Sequence, residues 1–310
     1  MKCTILTMIA VLVAQACAVN GAETYSKLWS RGGENWRPDS RLPDFSYAGY
    51  RAGAAALPEP KATLNVRDFG AKGDGKSDDS QAFLDAIAAA EGKVVAIPPG
   101  EYRITEILEI RTAGTVLRGA GPEETILIFP TPLNEIKPNW GATTSGRRTS
   151  NYSWSGGFVW FRGSFQSDKI ADIQPPAERG SAHLRLSSTD GLTVGQQVEI
   201  YQQDTPENSL AEYLYAGDPG DTRKLNGRTR TSMVVWIDAV EAGQIRFHPA
   251  LRFDVRTEWK PQVRRFEPTV TDSGVEHLTF RYPVIDYKGH FTELGYNAVA
   301  LRGVADCWVR

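Results

Sequence analysis

Short apolar segments separated by tight turns constrain this chain more than any other feature. They are three to five residues long and cover Val94–Ile97, Tyr102–Thr105, Ile107–Ile110, Thr115–Leu117 and Thr125–Phe129. Most are bounded by Pro-Gly, Thr-Ala-Gly or Gly-Ala-Gly, which are too short to hold the crossover helices of a doubly wound parallel sheet. The pattern predicts an all-β structure in which short strands wind into a coil of sheet.

One helix precedes these strands, over residues 78–90. Phe83, Ile87 and Ala90 recur at helical spacing and share one face. Asp78 is a suitable N-cap, and Gln81 follows it three residues later as in a capping box. We expect a single short helix over these residues.

The composition excludes several classes of protein. The chain has 310 residues, 35 basic and 37 acidic side chains, and a net charge of −2. Nucleic acids and anionic membranes are recognised by clustered Lys and Arg, which this balance does not offer. The 29 glycines and 18 prolines disfavour long helices, because both residues break helix interiors. We therefore expect a globular protein without a nucleic-acid partner.

Residues 1–22 have the pattern of a secretory signal peptide. Lys2 precedes an apolar run from Ile5 to Val19, which is shorter than the roughly 20 residues that span a bilayer. An A-x-A motif around Cys17 would be the cleavage site, and lipidation of that cysteine is the alternative. Removal of residues 1–22 eliminates both Cys3 and Cys17. Cys307 is then the one remaining thiol, so no internal disulfide can form. The sequence predicts a secreted or periplasmic protein with no integral membrane segment after cleavage.

The rest of the chain divides into five segments. Residues 23–62 form an irregular, aromatic and proline-rich arm, and residues 63–130 hold the first coils of sheet. Residues 131–180 are an aromatic, Gly/Ser-rich insertion, and residues 181–267 are a β-rich insertion for which a small barrel is one arrangement. Residues 268–310 return to the short-strand pattern.

Two internal echoes support a repeating coil. Gly274-Val275 reappears 29 residues later as Gly303-Val304, and Leu117-Arg118-Gly119 is echoed by Leu301-Arg302-Gly303. Stacked solenoid coils repeat every 20 to 30 residues because each buries its apolar side chains on its neighbours. The pattern stops within a strand at residues 306–310 with no polar cap, so we expect further coils beyond this sequence.

A phosphate-loop motif, G-x-x-x-x-G-K-S, spans residues 70–77. Asp74, Asp78 and Asp79 crowd the place where a triphosphate would bind, and their charge opposes an anion. The following strand, Val94–Ile97, ends in prolines and offers no aspartate for magnesium. We therefore expect no nucleotide ligand here.

The same residues fit a different family. Residues 65–80, NVRDFGAKGDGKSDDS, followed by IPPGEY at residues 97–102 and Leu117-Arg118-Gly119, closely resemble the start of the pectate-lyase-like superfamily of right-handed parallel β-helices. That superfamily includes rhamnogalacturonases, epimerases and phage tailspikes. The resemblance implies that Asp74, Asp78 and Asp79 are turn and cap residues. It implies a right-handed parallel β-helix with one N-terminal capping helix and a polysaccharide ligand on its long face.

Two mechanisms are common in this superfamily. Hydrolases use paired carboxylates, whereas lyases remove the proton α to a uronate carboxylate while calcium or an arginine neutralises that group. The Asn-Thr-Asp, Asp-Asp and Gly-His-Gly motifs of polygalacturonases have no equivalent here. The resemblance thus favours a lyase over a hydrolase, with calcium as a possible cofactor.

The densest polar segment, residues 286–297, supplies candidate catalytic residues. His290 and Glu293 could act as base and orienting acid, and Lys288 or Arg281 could meet a uronate carboxylate. A solvated loop without catalytic function is the alternative.

Aromatic residues between 140 and 161 supply candidate substrate-binding groups. Trp140, Trp154 and Trp160 could stack on sugar rings, and Arg147 and Arg148 could pair with acidic groups. Packing of the insertion onto the coil is the alternative. We expect core positions for three other tryptophans and an inert, inward-facing thiol: Trp236, Trp259, Trp308 and Cys307.

The sequence therefore predicts an exported enzyme that acts on a polysaccharide, with β-elimination of a uronate-containing glycan as the favoured reaction. A glycoside hydrolase and a non-catalytic glycan-binding or surface-attachment protein are the alternatives.

Overall fold

A computed structural model describes residues 25–225 and 227–310. The predicted signal peptide, including Cys3 and Cys17, lies outside the described residues. No helix in the described ranges is long and apolar enough to cross a membrane.

The described residues form 24 strands and three α-helices. The helices are α1 (Ser80–Ala90), α2 (Leu133–Ile136) and α3 (Ser209–Leu214). The strands β1 to β24 are, in chain order, Ala62–Asn65, Asp74–Asp78, Val94–Ile97, Gly100–Arg103, Leu108–Ile110, Val116–Gly119, Thr125–Ile128, Trp140–Ala142, Arg148–Ser150, Val159–Arg162, Phe165–Gln166, Lys169–Asp172, His183–Arg185, Gln197–Gln203, Arg230–Glu241, Gln244–His248, Gln262–Arg265, Glu267–Pro268, Val270–Thr271, Gly274–Glu276, Thr279–Arg281, Val299–Arg302, Val304–Ala305 and Trp308–Val309.

Three parallel sheets stack the short strands into successive coils. The first sheet has the order β1-β3-β6-β20-β24, the second β2-β4-β7-β21, and the third β5-β10-β22. In the first sheet Val94 lies beside Val116, and Val116 beside Gly274. Since three successive coils, β3-β4-β5, β6-β7-β10 and β20-β21-β22, each contribute one strand to each sheet, the architecture is a parallel β-helix. The expected all-β coil is confirmed, and the predicted strands agree with the observed ones to within two residues.

The core of the β-helix consists of side chains that point inward from all three sheets. Phe129 directly follows β7 and Phe158 directly precedes β10 in the same coil; both are fully buried and stack with ring centroids 4.2 Å apart. Phe83 of α1 is also fully buried and packs edge-on against Tyr102 at 5.4 Å. Helix α1 thus covers the apolar end of the first coil, whose burial stabilises the fold by the hydrophobic effect.

The start of α1 differs from the prediction in detail. The helix begins at Ser80 with Asp79 as N-cap residue, whereas Asp78 ends strand β2. Asp78 still caps from outside, because its Oδ1 accepts a hydrogen bond from the Ser80 amide at 3.0 Å. Gln81 does not close a capping box but donates to Asp85 at 2.8 Å. Helices α2 and α3, which the sequence did not predict, are shorter and lie in the insertions.

The segment that matches a phosphate loop binds its own carboxylates. Asp79 accepts hydrogen bonds from the Lys72 and Gly73 amides at 2.7 and 3.1 Å. Asp74 accepts from the Ser77 and Lys76 amides, which lower its pKa to about 2. The amides that a phosphate would need are therefore occupied by turn and cap residues.

Residues 169–265 form a second β unit outside the coils. Its six strands are antiparallel in the order β12-β17-β14-β15-β16-β13. An antiparallel bridge between Ile173 and Leu186 joins the two outer strands, with the Gln174 amide 2.8 Å from the Arg185 carbonyl. The sheet therefore closes into a small barrel around its own core, which includes Val198 and Phe247.

The arm before β1 packs against the first sheet. Tyr50 and Arg51 both bond to the Asp272 carboxylate, and the Tyr50 ring meets Trp308 edge-on at 5.8 Å. Trp308 is buried on this face, as expected, and Trp259 is buried beside the barrel. Trp236 is only half-buried and stacks on His248, so its expected core position is wrong.

Three sequence interpretations need correction. Gly274 lies beside Trp308 and Val270 beside Val304, so both pairs are 34 residues apart and the 29-residue echo does not mark a coil. The second echo joins different sheets, because Val116–Gly119 is in the first and Val299–Arg302 in the third. Strand β10, which the sequence analysis placed in an insertion over residues 131–180, belongs to the third sheet.

Candidate functional site

The outer face of the third sheet carries the most distinctive group of side chains. Along β5, Leu108 and Ile110 point into the core, so Glu109 and the next residue, Arg111, point outward. Strand β10 alternates in the same way, with Phe161 in the core and Arg162 outside. The strict alternation of a strand therefore brings charged residues of successive coils onto one surface.

The register of this sheet aligns three arginines. Phe161 lies beside Ile110, so Arg162 follows beside Arg111, and Arg162 in turn lies beside Arg302. We call Arg111, Arg162 and Arg302 the arginine ladder. Adjacent strands are about 4.8 Å apart, so the ladder runs along the axis of the β-helix with one guanidinium per coil.

Glu109 neutralises part of the ladder. Its carboxylate pairs with Arg111 and lies 3.0 Å from Arg162 Nη1 and 3.7 Å from Lys137 Nζ. Burial by itself would raise the pKa of Glu109, but the hydrogen bonds and charges of Arg111 and Arg162 outweigh it, so the pKa lies below its ordinary value. The carboxylate is thus ionised at neutral pH.

Two tryptophans lie beside the ladder in a cleft of about 800 Å³. Trp160 forms one wall of the cleft and is only 8% exposed. The Arg162 guanidinium lies over its ring, 4.9 Å from the centroid. Trp154 forms another part of the lining and is 54% exposed. An exposed ring next to cations is an arrangement that suits a sugar with an acidic substituent.

The loop between β21 and β22 lines a second cavity of about 780 Å³. Lys288 and Glu293 are in its wall, and His290 Nδ1 lies 3.4 Å from Glu293 Oε1. Hydrogen bonding to its own amide and to His290 lowers the pKa of Glu293. The loop therefore holds an ionised carboxylate beside an exposed imidazole.

The cavities adjoin one another. Asn297 lines both the loop cavity and the tryptophan cleft, and its amide donates to the Tyr152 and Gly156 carbonyls at 2.8 and 3.1 Å. Arg162 and Arg302 line both the cleft and a third cavity of about 380 Å³. The three together form one groove, which begins at the loop and ends at the arginine ladder.

Close backbone approach at the end of the groove requires two glycines. A Cβ on Gly163 would lie 2.3 Å from the Gly303 carbonyl oxygen, and a Cβ on Gly303 would lie 2.5 Å from the Gly163 oxygen. The Gly163 amide donates to the Arg302 carbonyl at 2.9 Å. These contacts fix the position of Arg302 relative to Arg162.

The structure brings some of the predicted site residues together. Lys288, His290 and Glu293 share the loop, while Trp154 and Trp160 share the cleft. The other four predicted residues are elsewhere, and none lines a groove cavity: Arg281, Trp140, Arg147 and Arg148.

These four residues have other surroundings. Arg281 is on the second sheet and pairs with Glu101 at 2.7 Å. Trp140 and Arg148 lie on the antiparallel strands β8 and β9, with the guanidinium 4.2 Å from the ring centroid. Arg147 is exposed in the turn between these two strands.

The ladder arginines were not among the predicted site residues, although the sequence holds a signal for two of them. Phe161-Arg162-Gly163 and Leu301-Arg302-Gly303 share an apolar-Arg-Gly pattern, and they are the segments that stack. Leu117-Arg118-Gly119 has the same pattern, although it lies in the first sheet. Only strand pairing shows which two of the three are neighbours.

A metal site is not evident in the part of the chain that the structure covers. No three His, Cys, Asp or Glu side chains in residues 25–225 and 227–310 are grouped so that they could hold a metal ion.

Comparison with known proteins agrees with this architecture. Residues 63–152 match the family described as rhamnogalacturonase A/epimerase, pectate lyase-like. Mannuronan C5-epimerase AlgE1 of Azotobacter vinelandii is 33% identical over 144 residues, which is 44% of this chain and 10% of the epimerase. Alginate lyase 7 of the same organism is 36% identical over 100 residues, 29% of this chain and 12% of the lyase. The chain thus spans a small part of the length of these relatives.

Among solved structures, the tailspike of Pseudomonas phage phi297 is similar at a TM-score of 0.44 and 13% identity, covering 80% of this chain and 38% of the tailspike. The stacked parallel sheets define the protein as a parallel β-helix. Its first coils, within residues 63–152, are similar to the pectate-lyase-like family.

Proposed function

We propose that the protein is exported and acts on a uronate-containing polysaccharide by β-elimination. The groove along the third sheet is the observation that carries this proposal, because it combines exposed aromatic surface with an excess of cations. At the ladder end of the groove, Arg111, Arg162, Arg302 and Lys137 give four positive charges against the one negative charge of Glu109. Such a groove attracts a polyanion and offers ring faces for sugars.

The relatives support the substrate class. Their names refer to mannuronan epimerisation and alginate cleavage. Both changes to a uronate begin with removal of the proton on C5, which is acidic because it is α to the carboxylate. A shared first step fits a shared fold and explains how one groove could serve either outcome.

The loop residues can be given roles in elimination. His290 takes the C5 proton as general base, and Glu293 orients the imidazole and stabilises its charged form. Lys288 neutralises the carboxylate of the reacting uronate. The C5–H electron pair forms the C4=C5 double bond, the C4–O4 bond breaks, and the leaving oxygen takes up a proton from water.

The test is incubation of the purified protein with a panel of uronate polysaccharides, with and without calcium. We expect ultraviolet absorbance from the unsaturated uronate product, lost in His290→Ala and retained in His183→Ala. His183 is an exposed histidine on barrel strand β13 and is a matched control.

Other outcomes would replace the proposal. New reducing ends without absorbance would indicate hydrolysis, and altered C5 configuration in nuclear magnetic resonance spectra of an uncleaved polymer would indicate epimerisation. If no polymer is changed, the enzyme proposal is rejected and a non-catalytic glycan-binding protein is the remaining alternative.

A further inference from the structure

The far end of the groove is a small pocket whose lining is rich in hydrogen-bond donors. Its volume is about 380 Å³, and it lies between the three ladder arginines, Ser164 and Thr269. The Thr269 hydroxyl accepts a hydrogen bond from the Ser164 amide at 3.0 Å, which fixes both residues at the rim. Guanidinium groups are donors only and match the paired oxygens of a carboxylate or sulfate.

The charges in this pocket are unevenly satisfied. Glu109 pairs with Arg111 and Arg162, so two ladder arginines already have a carboxylate partner. Arg302 is exposed, and within residues 25–225 and 227–310 its guanidinium has no hydrogen-bond or ion-pair partner. A ligand anion would therefore find its strongest unmet donor at Arg302.

The pocket is separate from the loop with the proposed catalytic residues. It shares Arg162 and Arg302 with the tryptophan cleft, whereas it shares no lining residue with the cavity that contains Lys288 and Glu293. A polymer that follows the groove would reach the pocket with a different sugar from the one at the loop.

We propose that this pocket is an anion subsite for a non-reacting acidic sugar of the polysaccharide, with Arg302 as its main anchor. The inference rests on the proposed function for the polymer, but it concerns binding and not reaction. Glu109 limits the strength of the subsite, because its carboxylate competes with the ligand for Arg111 and Arg162. The acidic group is a carboxylate or a sulfate ester, since both present paired oxygens.

Binding of two polymers tests this proposal on the full chain. Mannuronan carries carboxylates and a sulfated galactan carries sulfate esters, and affinity electrophoresis measures the dissociation constant for each. Arg302→Gln should weaken binding of the preferred polymer about three- to tenfold. The substitution removes a charge-assisted hydrogen bond, and solvent exposure of Arg302 makes that bond weaker than a buried one. Arg246→Gln is a matched control, because Arg246 is exposed on the barrel strand β16.

Glu109→Gln should act in the opposite direction. Removal of its charge frees two arginines, so binding should become about two- to fivefold tighter and more sensitive to salt. A structural role for Glu109 would instead lower the melting temperature and weaken binding. Polymer binding that is unchanged in Arg302→Gln, or equally weakened in Arg246→Gln, overturns the subsite.

The two proposals fail separately. Loss of binding in Arg302→Gln, together with no product from the wild-type protein, would retain the subsite and reject the elimination. Product formation with an unchanged KM in Arg302→Gln, for long and short chains alike, would retain the elimination and reject the subsite.

Discussion

Substitution of Glu276 should reveal how much a buried charge cluster stabilises the first sheet. The Glu276 side chain is fully buried on β20, and one carboxylate oxygen pairs with Arg118 of the neighbouring strand. The other oxygen accepts from Trp308 Nε1 at 2.9 Å and lies 3.3 Å from Arg310 Nη2. The cluster therefore connects three successive coils.

The expected cost of Glu276→Gln follows from these contacts. Removing one partner of a buried ion pair costs about 3–5 kcal/mol, because the other charge is left unpaired. Glutamine keeps an acceptor for Trp308, and the side chains of Arg118 and Arg310 are 22% and 31% exposed, so water can reach them. We therefore expect a loss of about 2–3 kcal/mol in the free energy of unfolding, or roughly 4–10 °C in melting temperature.

The same cluster predicts a pH dependence. Burial by itself would raise the pKa of Glu276, but Arg118, Trp308 and Arg310 outweigh it and hold the pKa below its ordinary value. A carboxyl whose pKa is lowered by folding adds stability above its unfolded pKa of about 4.3, and this stability is lost as the pH falls through the folded pKa. The difference between wild type and Glu276→Gln should thus be full at neutral pH and shrink below about pH 4.

Urea unfolding monitored by tryptophan fluorescence at several pH values measures both effects. Glu59→Gln is the control, because Glu59 also pairs with Arg310, at 3.1 Å, but its side chain is 73% exposed. That exposed pair should contribute less than about 1 kcal/mol. Equal losses in the two variants, or a Glu276→Gln loss that stays constant down to about pH 3, would refute the reasoning.

Two further predictions concern the interior. Phe129→Ala should lower the free energy of unfolding by about 3–5 kcal/mol in urea titrations, because the ring is fully buried against Phe158 and leaves a cavity; a loss under about 1 kcal/mol would contradict this packing. Burial raises the pKa of the Cys307 thiol to about 11. At pH 8 alkylation of this thiol should therefore be about 100-fold slower in the folded than in the unfolded protein, as measured by peptide mass spectrometry. Equal alkylation rates in the two states would contradict a protected thiol.

The loop and turn chemistry near the start of the β-helix was predictable because it is local. Asp74 and Asp79 bind amides within seven residues of their own position, so the sequence contains both partners. Gly73 has φ of +65°, and a Cβ there would lie 2.9 Å from the Tyr102 ring. The positive φ favours glycine at this position, and the motif of residues 65–80 is typical of the fold for that reason.

The aromatic cluster shows where prediction from sequence stopped. Tyr152, Phe158 and Phe161 became part of the core, whereas Trp154 stayed exposed in the groove. All four side chains are aromatic, so their hydrophobicity does not tell which of them is buried. Which rings face inward depends on the register of β10 with strands about 50 residues before it and 140 residues after it.

The sequence by itself determined the fold class and the capped first coil, because strand alternation, turn residues and helix caps act over a few neighbouring residues. The tertiary structure alone decided that Arg111, Arg162 and Arg302 form one ladder and that Arg281 lies elsewhere. The physical reason is that long insertions separate the stacked strands: residues 131–157 lie between Arg111 and Arg162, and the barrel of residues 169–265 lies between Arg162 and Arg302. Contact between distant segments is set by strand register and coil length, which no local pattern encodes.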